Sequence, residues 1–103
     1  MNLSIVTINY NSSENTIKLL ESLKNQDDFN IIVIDNNSNP DQKATLKNYR
    51  TEETNIVFIE NDRNLGYSGG NNVGIRRALN PPAGGGADWV LLLNNDTWVE
   101  NDF

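Results

Sequence analysis

The chain has 103 residues, 37% apolar and 21% charged, which suits one small folded domain and excludes both a disordered segment and a two-domain arrangement. Fourteen acidic against eight basic residues give a net charge of -6, so no broad basic surface is available to hold a nucleic acid backbone. A phosphorylated small ligand would need a divalent cation to offset the repulsion. The lack of cysteine and histidine removes thiolate chemistry, Cys/His zinc sites and a histidine base, and leaves carboxylates and amides.

The N-terminus, Met1-Asn2-Leu3-Ser4, has no basic segment leading into a long apolar run, and no stretch reaches the roughly 18 to 20 apolar residues of a membrane span. A cytosolic chain is expected. Leu3 to Ile8 is the first of four nearly continuous apolar runs, as expected of parallel strands covered on both faces. Ile17, Leu19, Leu20 and Leu23 then form a helical stripe, with N-cap oxygens offered by Asn11, Ser12 and Ser13. Ile31 to Ile34 is the second strand. A shorter, more polar helix follows, capped by Ser38 or Asn39, with Pro40 in its first turn and Ala44, Leu46 and Tyr49 as its apolar contacts. Ile56 to Ile59 is the third strand. A helix beginning near Ser68 is weakened by Gly69, Gly70 and Gly74 and stopped by Asn80-Pro81-Pro82, after which Pro81 to Gly86 forms a loop.

The fourth strand, Trp89 to Leu93, is among the most hydrophobic, which suits a central position. The chain stops at Asp102-Phe103, where a new helix could start. That pattern favours truncation, with self-association through the uncovered fourth strand as the alternative. Strand, helix and strand repeated three times imply right-handed crossovers and a Rossmann-like, three-layer α/β/α domain with a mainly parallel sheet, spanning residues 1–103.

Ligands of such sheets sit beyond the carboxyl ends of the strands. Asn9-Tyr10-Asn11, Asp35-Asn36-Asn37-Ser38, Glu60-Asn61-Asp62-Arg63-Asn64 and Asn94-Asn95-Asp96 all fall on that rim. Asp35 either accepts hydrogen bonds from a ribose or base, or shapes a turn with Asn36 and Asn37. The segment from Asn64 to Gly74 places small residues at a helix start, which serves close approach of phosphate or sugar, or else tight helix packing. It lacks the G-x-G-x-x-G dinucleotide pattern after the first strand. Asp96 is placed to hold a hard Mg²⁺ or Mn²⁺ with phosphate oxygens and water, and Asn94 can add a neutral oxygen; the alternative is a plain turn.

Four motifs in order, Ser4 to Asn11, Val33 to Ser38, Asn64 to Ile75 and Leu91 to Asp96, together resemble family 2 glycosyltransferases of the GT-A fold, especially rhamnosyltransferase-like members. The resemblance covers almost the whole chain and implies the N-terminal, nucleotide-sugar-binding half of that fold. It implies that Thr7, Asn9 and Tyr10 line a nucleoside pocket, that Asp35 contacts base or ribose, and that Asn72 shapes the donor site. Asn37, Gly66, Asn94 and Asn95 complete the implied donor-binding set, and Asp96 is the implied metal ligand.

Two departures stand out. Asn94 replaces the first acid of the family's Asp-x-Asp motif, and Asn71 stands where many relatives carry Arg, with Arg63 or Arg76 as candidate substitutes. The implied reaction is metal-dependent, inverting transfer from a UDP- or dTDP-sugar to a glycan or lipid-linked acceptor hydroxyl, in the cytoplasm or at the inner face of the membrane. Its base would lie beyond this chain, since Glu100 and Asp102 read as the start of a following helix. A non-enzyme alternative is a receiver-like Mg²⁺-binding signalling domain, disfavoured by Asn9 in place of an acidic pair and by the lack of a lysine after Lys47. A third reading is a fragment that folds and self-associates without donor affinity.

Overall fold

The computed structural model describes residues 2–24, 28–49, 55–82 and 84–96. Strands β1 (Leu3–Asn9), β2 (Phe29–Asp35), β3 (Ile56–Glu60) and β4 (Trp89–Leu92) alternate with helices α1 (Ser13–Ser22), α2 (Pro40–Lys47) and α3 (Gly66–Leu79). All three strand pairings are parallel and the order is β3-β2-β1-β4. Every apolar run expected to be a strand is one.

The continuous runs are explained by division between two cores. Ile5, Ile31 and Val33 face Leu19, Leu20, Leu23 and Leu46 of the α1/α2 side, whereas Val6, Ile32 and Ile34 face Ala78 on the α3 side. Successive side chains of a strand point to opposite faces, so a strand covered on both has no polar positions to spare. The result is the three-layer arrangement expected from sequence.

Chain order and sheet order place the reversal between β1 and β4. β2 and β3 are laid down to one side of β1, and the crossover through α3 returns on the opposite face to add β4 on the other. A crevice at such a switch point is where open α/β sheets bind ligands. A receiver-type sheet instead sets its third strand beside its first. Here β3 pairs with β2, which removes that alternative.

Three expectations are corrected. Among the described residues β4 is an edge, paired with β1 alone, and Trp89 (59% exposed) and Leu92 are on its surface. Its hydrophobicity comes from Val90, Leu91 and Leu93 packing against the two cores, which an edge strand can also do. Helix α3 begins at Gly66, two residues before Ser68, because Gly66 takes φ +74° at the turn and Asn64 Oδ1 receives its N–H at 2.8 Å.

The expected caps are the third. Ser12 and Asn39 occupy the N-cap positions of α1 and α2 without side-chain caps. Gln42 Oε1 instead accepts the N–H of Ser13 at 2.9 Å, so α2 satisfies the start of α1. Asn11 (φ 52°) accepts the N–H of Asn39 at 2.7 Å, tying the two helix starts together. The helix start expected near Asp102-Phe103, with the acids Glu100 and Asp102, lies outside the described residues.

Candidate functional site

The carboxyl ends of β1, β2 and β4 are joined by a buried polar network. Asn9, the last residue of β1, is fully buried; its Nδ2 donates to Asp35 Oδ1 at 2.9 Å and Ser13 Oγ at 3.1 Å, and its Oδ1 accepts from Thr16 at 2.7 Å. Asp35, 2% exposed, also accepts from Ser38 Oγ at 2.6 Å and from the Ser38 N–H at 3.1 Å. Buried polar groups in a low dielectric are costly unless paired, and these are paired. Asp35 therefore does shape the turn after β2, whatever else it contacts.

Asn95 joins the same network from β4. Its Nδ2 donates to Ser12 Oγ at 2.6 Å and Thr16 Oγ1 at 3.0 Å. Thr7 is fully buried and donates to the Leu93 carbonyl at 2.8 Å, which fixes the end of β4 on β1. With Asn95 turned inward, the side chains of Asn94 and Asp96 are left exposed on the rim.

A cleft of about 290 Å³ opens there, at the β1/β4 switch, lined by Tyr10, Ser12, Tyr67, Asn94, Asn95 and Asp96 among others. Tyr10 and Tyr67 are both about half exposed, and the Tyr67 hydroxyl reaches Asn94 Oδ1 at 3.4 Å. Among the described residues Asp96 is the one carboxylate lining it. Among the described residues no group of three acids or histidines could cage an ion. One carboxylate and one amide oxygen fit a hard divalent cation whose shell is completed by phosphate and water.

A larger depression, about 350 Å³, lies between α2 and β3, where Leu46, Tyr49 and Phe58 make it largely apolar. Asp35 lines it from the end of β2, and it is away from the β1/β4 switch point. The β1/β4 cleft is the better candidate on chemistry.

Sequence reasoning placed Tyr10, Asn94, Asn95 and Asp96 together, and the structure brings them into one cleft. Thr7, Asn9 and Asp35 lie behind that rim, with polar groups turned into the protein. Asn37 (φ 61°) is exposed and accepts from Lys43 Nζ at 2.8 Å, while Asn72 is exposed on α3. Gly66 is exposed, and its carbonyl receives Asn36 Nδ2 at 3.0 Å. Arg76 sits in the last turn of α3, at the end away from the cleft, so it is no substitute for the family's arginine; Arg63 is exposed in the loop before α3.

Three contributors were not singled out from sequence. Tyr67 looked like an aromatic among glycines, Asn36 like a turn former, and Thr16 like one more polar helix residue. Asn36 is 2% exposed and straps the β3–α3 loop through Asn61 Nδ2 at 2.9 Å and the Gly66 carbonyl. Thr16 falls on the same helical face as Leu19 and Leu20, all buried, and that phase was the available signal.

The sequence profile described as Glycosyl transferase family 2 matches residues 4–103. An uncharacterized glycosyltransferase of Methanocaldococcus jannaschii is 38% identical over 97 residues, covering 90% of this chain and 31% of that protein. A low-salt glycan biosynthesis hexosyltransferase of Haloferax volcanii is 33% identical over 100 residues, covering 97% of this chain and 29% of that one. A mannosyltransferase from Pyrobaculum calidifontis, solved in complex with GDP-Man and Mn²⁺, shares the fold with a TM-score of 0.75 at 14% identity, over 93% of this chain and 28% of that chain. The chain thus spans about three tenths of the length of each of these relatives. A profile match over nearly every residue, on a parallel sheet whose motifs meet at one rim, places the chain in glycosyl transferase family 2.

Proposed function

We propose that this chain forms the donor-binding part of a metal-dependent, inverting glycosyltransferase that uses a UDP- or dTDP-sugar and a glycan or lipid-linked acceptor hydroxyl. The observation that carries the reading is the cleft at the β1/β4 switch, where Asp96 and Asn94 are exposed beside Tyr10. The low-salt glycan biosynthesis role of the Haloferax relative and the GDP-Man and Mn²⁺ held by the Pyrobaculum structure support the reaction class.

Asp96 and Asn94 would hold Mg²⁺ or Mn²⁺, which when bound neutralises the diphosphate of the donor. Tyr10 flanks the nucleoside. Asp35 accepts three hydrogen bonds, and a carboxylate has about four acceptor sites. The remaining site is assigned to a donor N–H or O–H of base or ribose. Thr7 and Asn9 act by fixing the rim, Asn72, Asn37 and the Gly66 backbone by bordering the donor, and Asn95 by turning Asn94 and Asp96 outward.

Transfer forms a bond between the acceptor oxygen and the anomeric carbon and breaks the bond to the diphosphate oxygen, which leaves with the electron pair. The acceptor proton passes to a base. Asp96 is committed to the donor side, and no described residue is assigned as the base.

Calorimetry with UDP and dTDP is expected to show binding that depends on Mn²⁺ or Mg²⁺. Asp96→Ala should abolish the metal dependence, and Asp35→Ala should weaken binding with or without metal. Lack of binding by either nucleotide under both conditions refutes the reading, and unchanged affinity in both variants refutes the residue assignments.

A further inference from the structure

Thr16 sits where two halves of the site meet. Its Oγ1 donates to Asn9 Oδ1 at 2.7 Å and accepts from Asn95 Nδ2 at 3.0 Å, and its side chain is fully buried. Asn9 in turn donates to Asp35 Oδ1 at 2.9 Å. A hydroxyl has one proton to give and lone pairs to receive, so it can bridge an amide oxygen on one side and an amide N–H on the other. Valine, its near-isostere, can do neither.

We propose that Thr16 is a positioning residue that couples the nucleoside rim at Asn9 and Asp35 to the metal-binding rim at Asn94 and Asp96. The path is continuous: Asp35, Asn9, Thr16, Asn95. Asn95 lies between the two residues that face the cleft, so the direction of its side chain sets theirs. Thr16 stands on α1, which is packed on β1 and capped from α2, so the bridge is anchored in the core rather than in a loop. Chains of hydrogen bonds in a low dielectric reinforce one another, and the loss of one member leaves its neighbours underpaired.

The assignment of the two rims rests on the donor reading above, so the test has one arm with ligand and one without. With UDP, the gain in affinity on adding Mn²⁺ should fall about tenfold in Thr16→Val and stay within about twofold in Thr16→Ser. Asn95→Ala should cause the same loss and add nothing further in the Thr16→Val background. A Thr16→Val protein that keeps the wild-type Mn²⁺ gain overturns the proposal, as does a Thr16→Ser protein that loses as much as Thr16→Val.

Without ligand, Asn95→Ala should shift the Asn9 side-chain amide resonance, two hydrogen bonds away, in the wild-type background and leave it in place when Thr16 is valine. An unmoved Asn9 resonance in the wild-type background overturns the coupling. This arm decides the matter even if the wild type binds no nucleotide, an outcome that would count against the donor reading alone. Should Thr16→Val not fold, Asn95→Ala, on the half-buried rim, serves both arms.

Discussion

Asn9, Asp35 and Ser38 show how a polar residue at a strand end can serve a site without lining it. Ser38 Oγ donates to Asp35 Oδ1 at 2.6 Å and accepts the Asn11 N–H at 2.9 Å, so one hydroxyl holds the turns after β1 and β2 together. Ser38→Ala removes one of the hydrogen bonds to buried Asp35 and the acceptor of the part-buried Asn11 N–H, and should cost about 1–3 kcal/mol, read by urea unfolding. Wild-type stability would show that water replaces the hydroxyl without loss. The residues of this network were legible as rim residues, because each follows an apolar run. Their inward orientation was not. Alternation assigns faces only along a strand, and the partner of Asn9 is 26 residues away at Asp35, a pairing that spacing alone does not reveal. Tyr67 was hidden for a related reason: only the turn at Gly66 brings its ring to the cleft.

At the scale of elements, α3 explains why a glycine-rich stretch is helical at all. A Cβ at Gly74 would overlap the side chain of Val6, which is fully buried, and one at Gly70 would come within 2.9 Å of Asn36 Nδ2 and Ile8 Cδ1. The helix thus lies close on β1 because these positions have no side chain, and the packing reading of the segment applies to Gly70 and Gly74. Gly74→Ala gains about 1 kcal/mol of helix propensity. Against that, forcing a methyl group into a filled core costs about 1–3 kcal/mol. A net loss of stability is expected in thermal or urea unfolding, with relief when Val6→Ala is added. A Gly74→Ala protein more stable than wild type would mean that α3 moves away from the sheet at little cost. The same stretch misled the placement of the helix start, because glycines weaken the propensity signal while tertiary packing supplies the stability. Strand identity, by contrast, was legible from the apolar runs.

Across the whole molecule, strand order was the part that sequence did not reveal. β3 and β4 read as strands of the same kind as β1 and β2, yet among the described residues they form the two edges. Phe58 on one and Trp89 on the other are 43% and 59% exposed. Hydrophobicity reports that a strand packs on a core, not how many strands flank it, and β4 packs on both cores through Val90, Leu91 and Leu93. An edge strand presents unpaired backbone groups, and exposed apolar side chains beside them favour pairing with another chain. β4 has such an edge, and Leu92 stands on it at 39% exposure. The 103-residue chain is therefore expected to self-associate with rising concentration, a behaviour that sedimentation velocity measures directly. Leu92→Lys should shift the distribution to monomer, because a charge on the edge must be desolvated in any pairing. A wild-type chain that remains monomeric throughout would show that the edge is not offered to a second copy.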